Sequence, residues 1–219
     1  MAAKLPRAAM QKLCPAAGRM LAMTSEVPAG LTDPDAKAGG YYELSVWLGD
    51  RDDARLQTAI EALARAAGVT GPWREQPDGF VPASWTVADV AGEEGGGVWG
   101  EVELPHGRTL ICFVLAIRYV NGEQWLDLSI PVGVLGDSDR RVGAFPFGPD
   151  GGPQTLAWRL PIDAWFASLA AQVRQVTGFK QAVIGCEVSG EAVESAAHSP
   201  ADRPDGIVLA DGTYLPAGG

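Results

Sequence analysis

The fold of this chain is decided by the stretch TLICFVLAIRYVNGEQWLDLSIPV, which runs from Thr109 to Val132. Its first part, Leu110–Ile117, is apolar throughout, as expected of a strand that is buried on both faces. Asn121-Gly122 is then the strongest signal in the chain for a tight hairpin turn. After the turn, apolar and polar residues alternate from Trp125 to Val132, which is the period of a strand with one buried face. The stretch therefore predicts two antiparallel strands in the middle of a sheet.

The elements on either side of this hairpin predict an α+β fold. Val98–Leu104 precedes the hairpin as a third antiparallel strand. Further out, an alternating strand at Tyr41–Trp47 leads into an amphipathic helix at Asp53–Ala67. On the other side, an amphipathic helix at Pro161–Thr177 leads into a strand at Phe179–Val188. We expect a mainly antiparallel sheet with both helices packed on one face, in a layout that resembles an elaborated split βαβ unit.

The remaining sequence predicts loops and mobile ends around this domain. Gly and Pro residues are frequent in two stretches, 70–97 and 133–159, which we expect to be long loops. The first of them has the pattern of one short strand near Trp85–Val90. Asp211-Gly212 indicates a turn near the end of the chain.

The composition of the sequence predicts three regions along the chain. Residues 1–40 are expected to form a disordered or flexible leader and linker. Residues 41–190 are expected to form a single α+β domain. Residues 191–219 are expected to be mobile, with a small terminal hairpin that docks on the domain.

The charge of the chain limits the class of partner. The formal net charge is −10, and the first 25 residues contribute +4, so the remainder carries −14. An acidic body of this kind disfavours binding to nucleic acid and suits a basic protein partner. No window of the sequence is apolar enough to predict a membrane span. The 3 cysteines form no CxxC pair, which favours a reduced, bacterial-type cytoplasm.

One short motif suggests hydrolase chemistry. Val134-Leu-Gly-Asp-Ser138 resembles the nucleophile block of the SGNH (GDSL-type) hydrolases, and the resemblance implies that Ser138 would be the nucleophile. That family also requires a late Asp-x-x-His, where this chain has Ser195-Ala-Ala-His198. No helical pattern follows Ser138, so a Gly-Asp turn that leaves a strand is the favoured interpretation.

Other reactive groups give weaker patterns. Cys112 or Cys186 could pair with His106 or His198 as a nucleophile and its base, but both cysteines lie in apolar runs. The two histidines are far apart, and the acidic clusters lack the spacing of a calcium loop, so no metal and no cofactor are predicted. The catalytic candidates are Ser138, Asp137, Cys186 and His106.

Tryptophans lie beside carboxylates on the predicted strands. If Trp47 and Trp125 share a face with Glu43 and Asp127, the sheet carries an aromatic and acidic surface. Such a surface suits a basic protein partner, because tryptophans anchor an interface and carboxylates steer the approach. Two further acidic residues, Glu93 and Glu94, lie in a Gly-rich tip. The alternative is that this face is buried as a second hydrophobic layer beneath the two long loops.

These features together resemble bacterial immunity and antitoxin-like proteins, which are acidic α+β domains without a catalytic constellation. The resemblance implies a non-enzymatic, cytoplasmic inhibitor of a basic, toxin-like partner. A hydrolase-like enzyme or small-molecule binder, with its site under loops 70–97 and 133–159, is the alternative. A homodimer formed through an open sheet edge or an exposed tryptophan patch is a third hypothesis.

Overall fold

A computed structural model of the chain describes residues 26–91, 96–139, 141–142, 152–190 and 205–217. These residues share a single nine-stranded sheet with the strand order β3-β2-β4-β5-β6-β1-β7-β8-β9. All neighbouring strands are antiparallel. The strands are β1 Tyr41–Asp50, β2 Thr70–Gln76, β3 Gly79–Pro82, β4 Val98–Glu103, β5 Thr109–Arg118, β6 Glu123–Pro131, β7 Gln181–Cys186, β8 Gly206–Leu209 and β9 Tyr214–Leu215. The predicted α+β class with a mainly antiparallel sheet is confirmed.

Five α-helices and a 3-10 turn at Asp35–Lys37 accompany the sheet in the described part of the chain. The helices are α1 Ala29–Thr32, α2 Asp53–Ala67, α3 Val87–Val90, α4 Val132–Ser138 and α5 Gly152–Thr177. Asp52 caps the N-terminus of helix α2, where its side chain accepts a hydrogen bond from the Arg55 amide, and Gly68, in the left-handed conformation, caps the C-terminus. Within the described ranges, none of the helices combines the length and the apolar character that a membrane crossing requires.

The two long helices cover one face of the sheet, here called the helix face. Every second residue of β1, from Tyr42 to Leu48, points to this face and is fully buried. These side chains pack with the apolar stripes of α2 and α5, represented by Leu63 and Phe166. Because β6 and β7 are both antiparallel to β1 and flank it, they are parallel to each other. The segment from β6 through α5 to β7 is therefore a split βαβ unit, as the sequence predicts.

The two predicted loops contain more regular structure than the sequence indicates. Residues 70–82 form the β2–β3 hairpin. The prediction of a short strand near Trp85–Val90 is wrong. Val87–Val90 form a one-turn helix instead, and the Thr86 hydroxyl caps its N-terminus. In the second loop, α4 occupies Val132–Ser138, and α5 begins at Gly152, so Pro161 lies inside that helix rather than in its first turn.

Residues 26–40, expected to be part of a flexible linker, pack on the opposite side of the sheet, here called the second face. Leu31 and Ala36 are buried against Trp73, Trp99 and Ile111. These apolar side chains fill the part of the second face that no long helix covers, which gives the segment a fixed place. Residues 1–25 lie outside the described residues, as do residues 191–204 of the predicted mobile segment. The β8–β9 hairpin continues the sheet beyond β7.

Candidate functional site on the second face of the sheet

A layer of polar side chains lies in the centre of the second face. It is formed by two cross-strand pairs of β1 and β6, Glu43 with Ser129 and Ser45 with Asp127. All four residues are buried, and Asp127 has no exposed surface. Carboxylates in such a position require hydrogen-bond donors, because transfer of an unpaired charge from water to the interior is very unfavourable.

Residues 187–190, which follow β7, supply the missing donors. The Ser189 amide donates to Glu43 over 2.9 Å, and the Ser189 hydroxyl donates to Asp127. The Ser129 hydroxyl donates to the second oxygen of Glu43 over 2.8 Å, and the Ser45 hydroxyl donates to the second oxygen of Asp127 over 2.5 Å. Ser189 thus connects both carboxylates and closes the polar layer.

The environment of these carboxylates favours their protonated form. Burial raises the pKa of Glu43 to about 7, although the hydroxyl of Ser129 opposes the shift. Burial likewise raises the pKa of Asp127 to about 6, against the hydrogen bonds from Ser189 and Ser45. Glu43 and Asp127 therefore titrate near neutral pH, where exposed carboxylates are already ionised.

A second polar feature, here called the lysine cage, consists of Glu75, Phe80 and Trp99. The Lys37 Nζ atom lies 2.8 Å from a carboxylate oxygen of Glu75. It also lies 4.5 Å from the ring centroid of Phe80 and 4.6 Å from that of Trp99. Strand pairing brings the three side chains together, since Glu75 faces Phe80 across the β2–β3 hairpin and β4 places Trp99 beside β2.

A cleft on another part of the surface has a cationic lining. Its volume is about 420 Å³, and it lies between the β4–β5 turn, the end of α4 and α5. The polar residues around it are His106, Arg108, Ser138, Asp139 and Arg141. Hydrogen bonds from Arg141 lower the pKa of Asp139 to about 2, so this carboxylate is charged and paired.

The catalytic candidates do not assemble into one reactive centre in the described part of the chain. Ser138 and His106 line the same cleft, but the Ser138 hydroxyl donates to the carbonyl of Leu135 in its own helix. Asp137 is exposed and lines a separate, open depression. Burial raises the pKa of Cys186 to about 12, which keeps its sulfur a thiol at neutral pH.

The nucleophile-block resemblance and its alternative both differ from the observed local structure. Residues 134–138 lie within α4 rather than between a buried strand and a helix. The Gly-Asp turn leaving a strand, which the pattern favours, is therefore wrong as well. Cys112 is fully buried, and burial raises its pKa. His198 lies outside the described residues.

The residues predicted for a partner surface are distributed differently from the expectation. Glu43, Trp125 and Asp127 are buried, while Trp47 is half-buried and stacks on Trp125 with ring centroids 5.5 Å apart. In this conformation the side chains of Glu43, Trp125 and Asp127 are not accessible to a partner, so their role in binding stays a prediction. For Glu43 and Asp127 it requires Ser189 to move away from the two carboxylates. Glu93 and Glu94 lie outside the described residues.

The alternative prediction, that this face of the sheet is buried, agrees better with the structure. The residues that bury it, however, differ from those expected. Residues 26–37 and residues 187–190 supply the contacts, rather than the two long loops alone. Lys37 and Ser189 were not identified from the sequence. The sequence distinguishes Lys37 only as the single basic residue between Arg19 and Arg51, which is a weak indication of a role.

No protein-family model matches this chain, and no curated protein or solved structure is significantly similar to it. Within the described ranges, no three His, Cys, Asp or Glu side chains are grouped so that they could hold a metal ion. The support for a role of the candidate sites therefore comes from their geometry.

Proposed function

We propose that this protein is a non-enzymatic binding protein that inhibits or masks a basic protein partner, in the manner of an immunity or antitoxin protein. The contact region that we propose is the β2–β3–β4 side of the second face. Carboxylates there are exposed or half-exposed on strands and on the segment that covers them. They are Asp33, Asp35, Glu75, Glu101 and Glu103.

The lysine cage is the observation that carries this proposal. In this region a primary ammonium group, that of Lys37, already lies against a carboxylate and two aromatic rings. The same combination of acidic and aromatic groups would suit the lysine-rich surface of a basic protein. The net charge of −10 adds long-range attraction, which accelerates encounter with a cationic partner.

Charge reversal on β4 provides the test. The double variant Glu101→Lys/Glu103→Lys is expected to slow association with the partner by about tenfold or more, because exposed charges act mainly on the association rate. Asp50→Lys/Glu61→Lys is the matched control, since it changes the net charge equally at exposed sites outside this region. The partner is first captured from native lysate at low salt and identified, and the rates are then measured by surface plasmon resonance.

Two outcomes would contradict the proposal. One is that no protein with a basic surface binds specifically at low salt and is released at high salt. The other is that the two double variants lose association rate equally, which would mean that net charge alone matters and that the β4 carboxylates have no particular role.

A second candidate function is supported by the cationic cleft. His106 and Arg108 line a space large enough for a small metabolite, and Arg108 supplies a cationic group in addition to the Arg141 that pairs with Asp139. We therefore propose a carboxylate or phosphate compound as the alternative ligand. A thermal-shift screen of small anions should give a rise in the melting temperature of the wild type that follows the logarithmic concentration dependence of a single binding site. Arg108→Ala should remove that rise, whereas Arg65→Ala on α2 should leave it unchanged. If no anion stabilises the wild type, this alternative fails.

A further inference from the structure

We infer that Glu75, Phe80 and Trp99 form a recognition site for an alkylammonium group, which the chain's own Lys37 fills in this structure. The site would accept the lysine side chain of a partner, or a small alkylammonium ion, in place of Lys37. The assignment to a partner's lysine rests on the proposed function, whereas the affinity of the cage for an ammonium ion does not.

The chemistry of the cage fits a cation that also carries apolar carbon. A carboxylate oxygen of Glu75 neutralises the charge at 2.8 Å. The rings of Phe80 and Trp99 lie 4.5 and 4.6 Å from the same nitrogen, within the distance at which an aromatic face attracts a cation. A lysine or alkylammonium group satisfies both requirements, because its methylene carbons pack on aromatic rings while its nitrogen keeps the charge.

The cage is held in place without Lys37. Trp99 is buried and packs on Phe113 with ring centroids 4.8 Å apart. Trp99 also pairs with Trp73 across β2 and β4, and Glu75 pairs with Phe80 in the adjacent hairpin. Because strand pairing and packing fix these positions, removal of the lysine side chain should leave a preformed site.

The cage is also open to solvent. The Lys37 side chain retains 19% of its surface exposed, and that of Glu75 retains 53%. An ion from solution, or a side chain from another molecule, can therefore reach the carboxylate. A buried salt bridge would lack this access.

The segment that carries Lys37 has separate anchors. Leu31 and Ala36 are buried on the second face, and the amide of Gly133 donates to the carbonyl of Ala38 over 2.9 Å. The ammonium group can thus leave the cage while the segment stays docked. The position of the segment therefore does not depend on the ammonium group of Lys37, which occupies the cage as a ligand would.

Chemical rescue of Lys37→Ala tests the inference. Propylammonium chloride should raise the melting temperature of this variant by about 2–5 °C, with the logarithmic dependence on concentration that a single binding site gives. A dissociation constant of roughly 10–100 mM is expected, since a single exposed ammonium contact is weak. Equal concentrations of sodium chloride and of 1-propanol are the controls for ionic strength and for the alkyl group.

Two further variants define the site. Lys37→Ala/Glu75→Gln should lose the rescue, because the carboxylate is removed, and Lys37→Met should show none, because its side chain fills the space. If Lys37→Ala does not fold, the indole resonance of Trp99 in the wild type is followed by NMR, and propylammonium should shift it more than sodium does. Rescue that survives Glu75→Gln would overturn the inference. So would the absence of a thermal response in a folded Lys37→Ala variant or, where that variant does not fold, the absence of the NMR response.

The rescue and capture experiments together distinguish a failure of the lysine cage from a failure of the proposed function. Rescue without capture of a basic partner would leave the ammonium site standing and refute the partner. Capture of a basic partner without rescue would show that binding uses other parts of the acidic face.

Discussion

Asp163→Ala is expected to destabilise the protein by about 3–5 kcal/mol, because it removes the carboxylate from a buried charged network. Asp163 accepts a hydrogen bond from the Tyr42 hydroxyl, and the Arg159 Nε atom donates to the same hydroxyl over 2.9 Å. The two charged groups are 3.9 Å apart, and both are at least 94% covered. Burial raises the pKa of Asp163, while Tyr42 and Arg159 oppose that shift and favour the carboxylate.

Related variants separate the contributions in this network. Tyr42→Phe removes one hydroxyl and should cost about 1–2 kcal/mol. Asp163→Leu/Arg159→Met replaces both charges by apolar groups and should be less destabilised than Asp163→Ala. The free energy of unfolding is measured by urea titration. A loss of less than about 1 kcal/mol for Asp163→Ala would contradict the assigned role of the carboxylate.

Stability is also expected to fall as the pH rises from about 4.5 to 8. The carboxylates of Glu43 and Asp127 have pKa values of about 7 and about 6 in the folded protein, above those of exposed carboxylates. Between the unfolded and folded pKa values the folded state binds more protons than the unfolded state, so each rise in pH favours unfolding. For Glu43 alone, the shift from 4.5 to about 7 corresponds to roughly 3 kcal/mol.

Neutral analogues provide the control for this pH dependence. Glu43→Gln and Asp127→Asn remove the titrating groups and retain most of the shape, so each should flatten the decline between pH 5 and 8. Urea unfolding of the wild type and both variants across this range is the measurement. A wild-type free energy of unfolding that is constant or rises over the same interval would contradict the prediction. Asp50→Asn, at an exposed carboxylate, should leave the slope unchanged.

Local patterns were sufficient to predict the central part of the fold. The apolar run from Leu110, the Asn121-Gly122 turn and the alternation that follows correspond to β5 and β6. The β2–β3 hairpin was not predicted, because Gly71 and Pro72 interrupt the pattern of β2. The register between β2 and β4 is irregular between Thr70 and Trp73, which is where a proline, lacking an amide donor, can be accommodated.

The candidate sites were less predictable than the fold because they depend on distant contacts. Alternation indicated that Glu43 and Asp127 each lie opposite the apolar residues of their own strand, and the pairing of β1 with β6 puts both on the second face. Alternation gave no information about which residues cover that face. Ser189 is 146 positions from Glu43 in the sequence, and strand pairing between β1 and β7 brings them together. Similarly, Lys37 reaches Glu75 across 38 positions, from a segment whose Ala, Gly and Pro residues are typical of a linker.

The ends of the nine-stranded sheet bear on self-association. The terminal strands β3 and β9 have 4 and 2 residues. Pro82 closes the first, and Pro216 follows the second. Short edges next to proline present few free main-chain donors and acceptors to a strand of another molecule. Short edges of this kind are one way in which sheet proteins limit edge-to-edge aggregation. The homodimer formed through an open sheet edge stays a prediction.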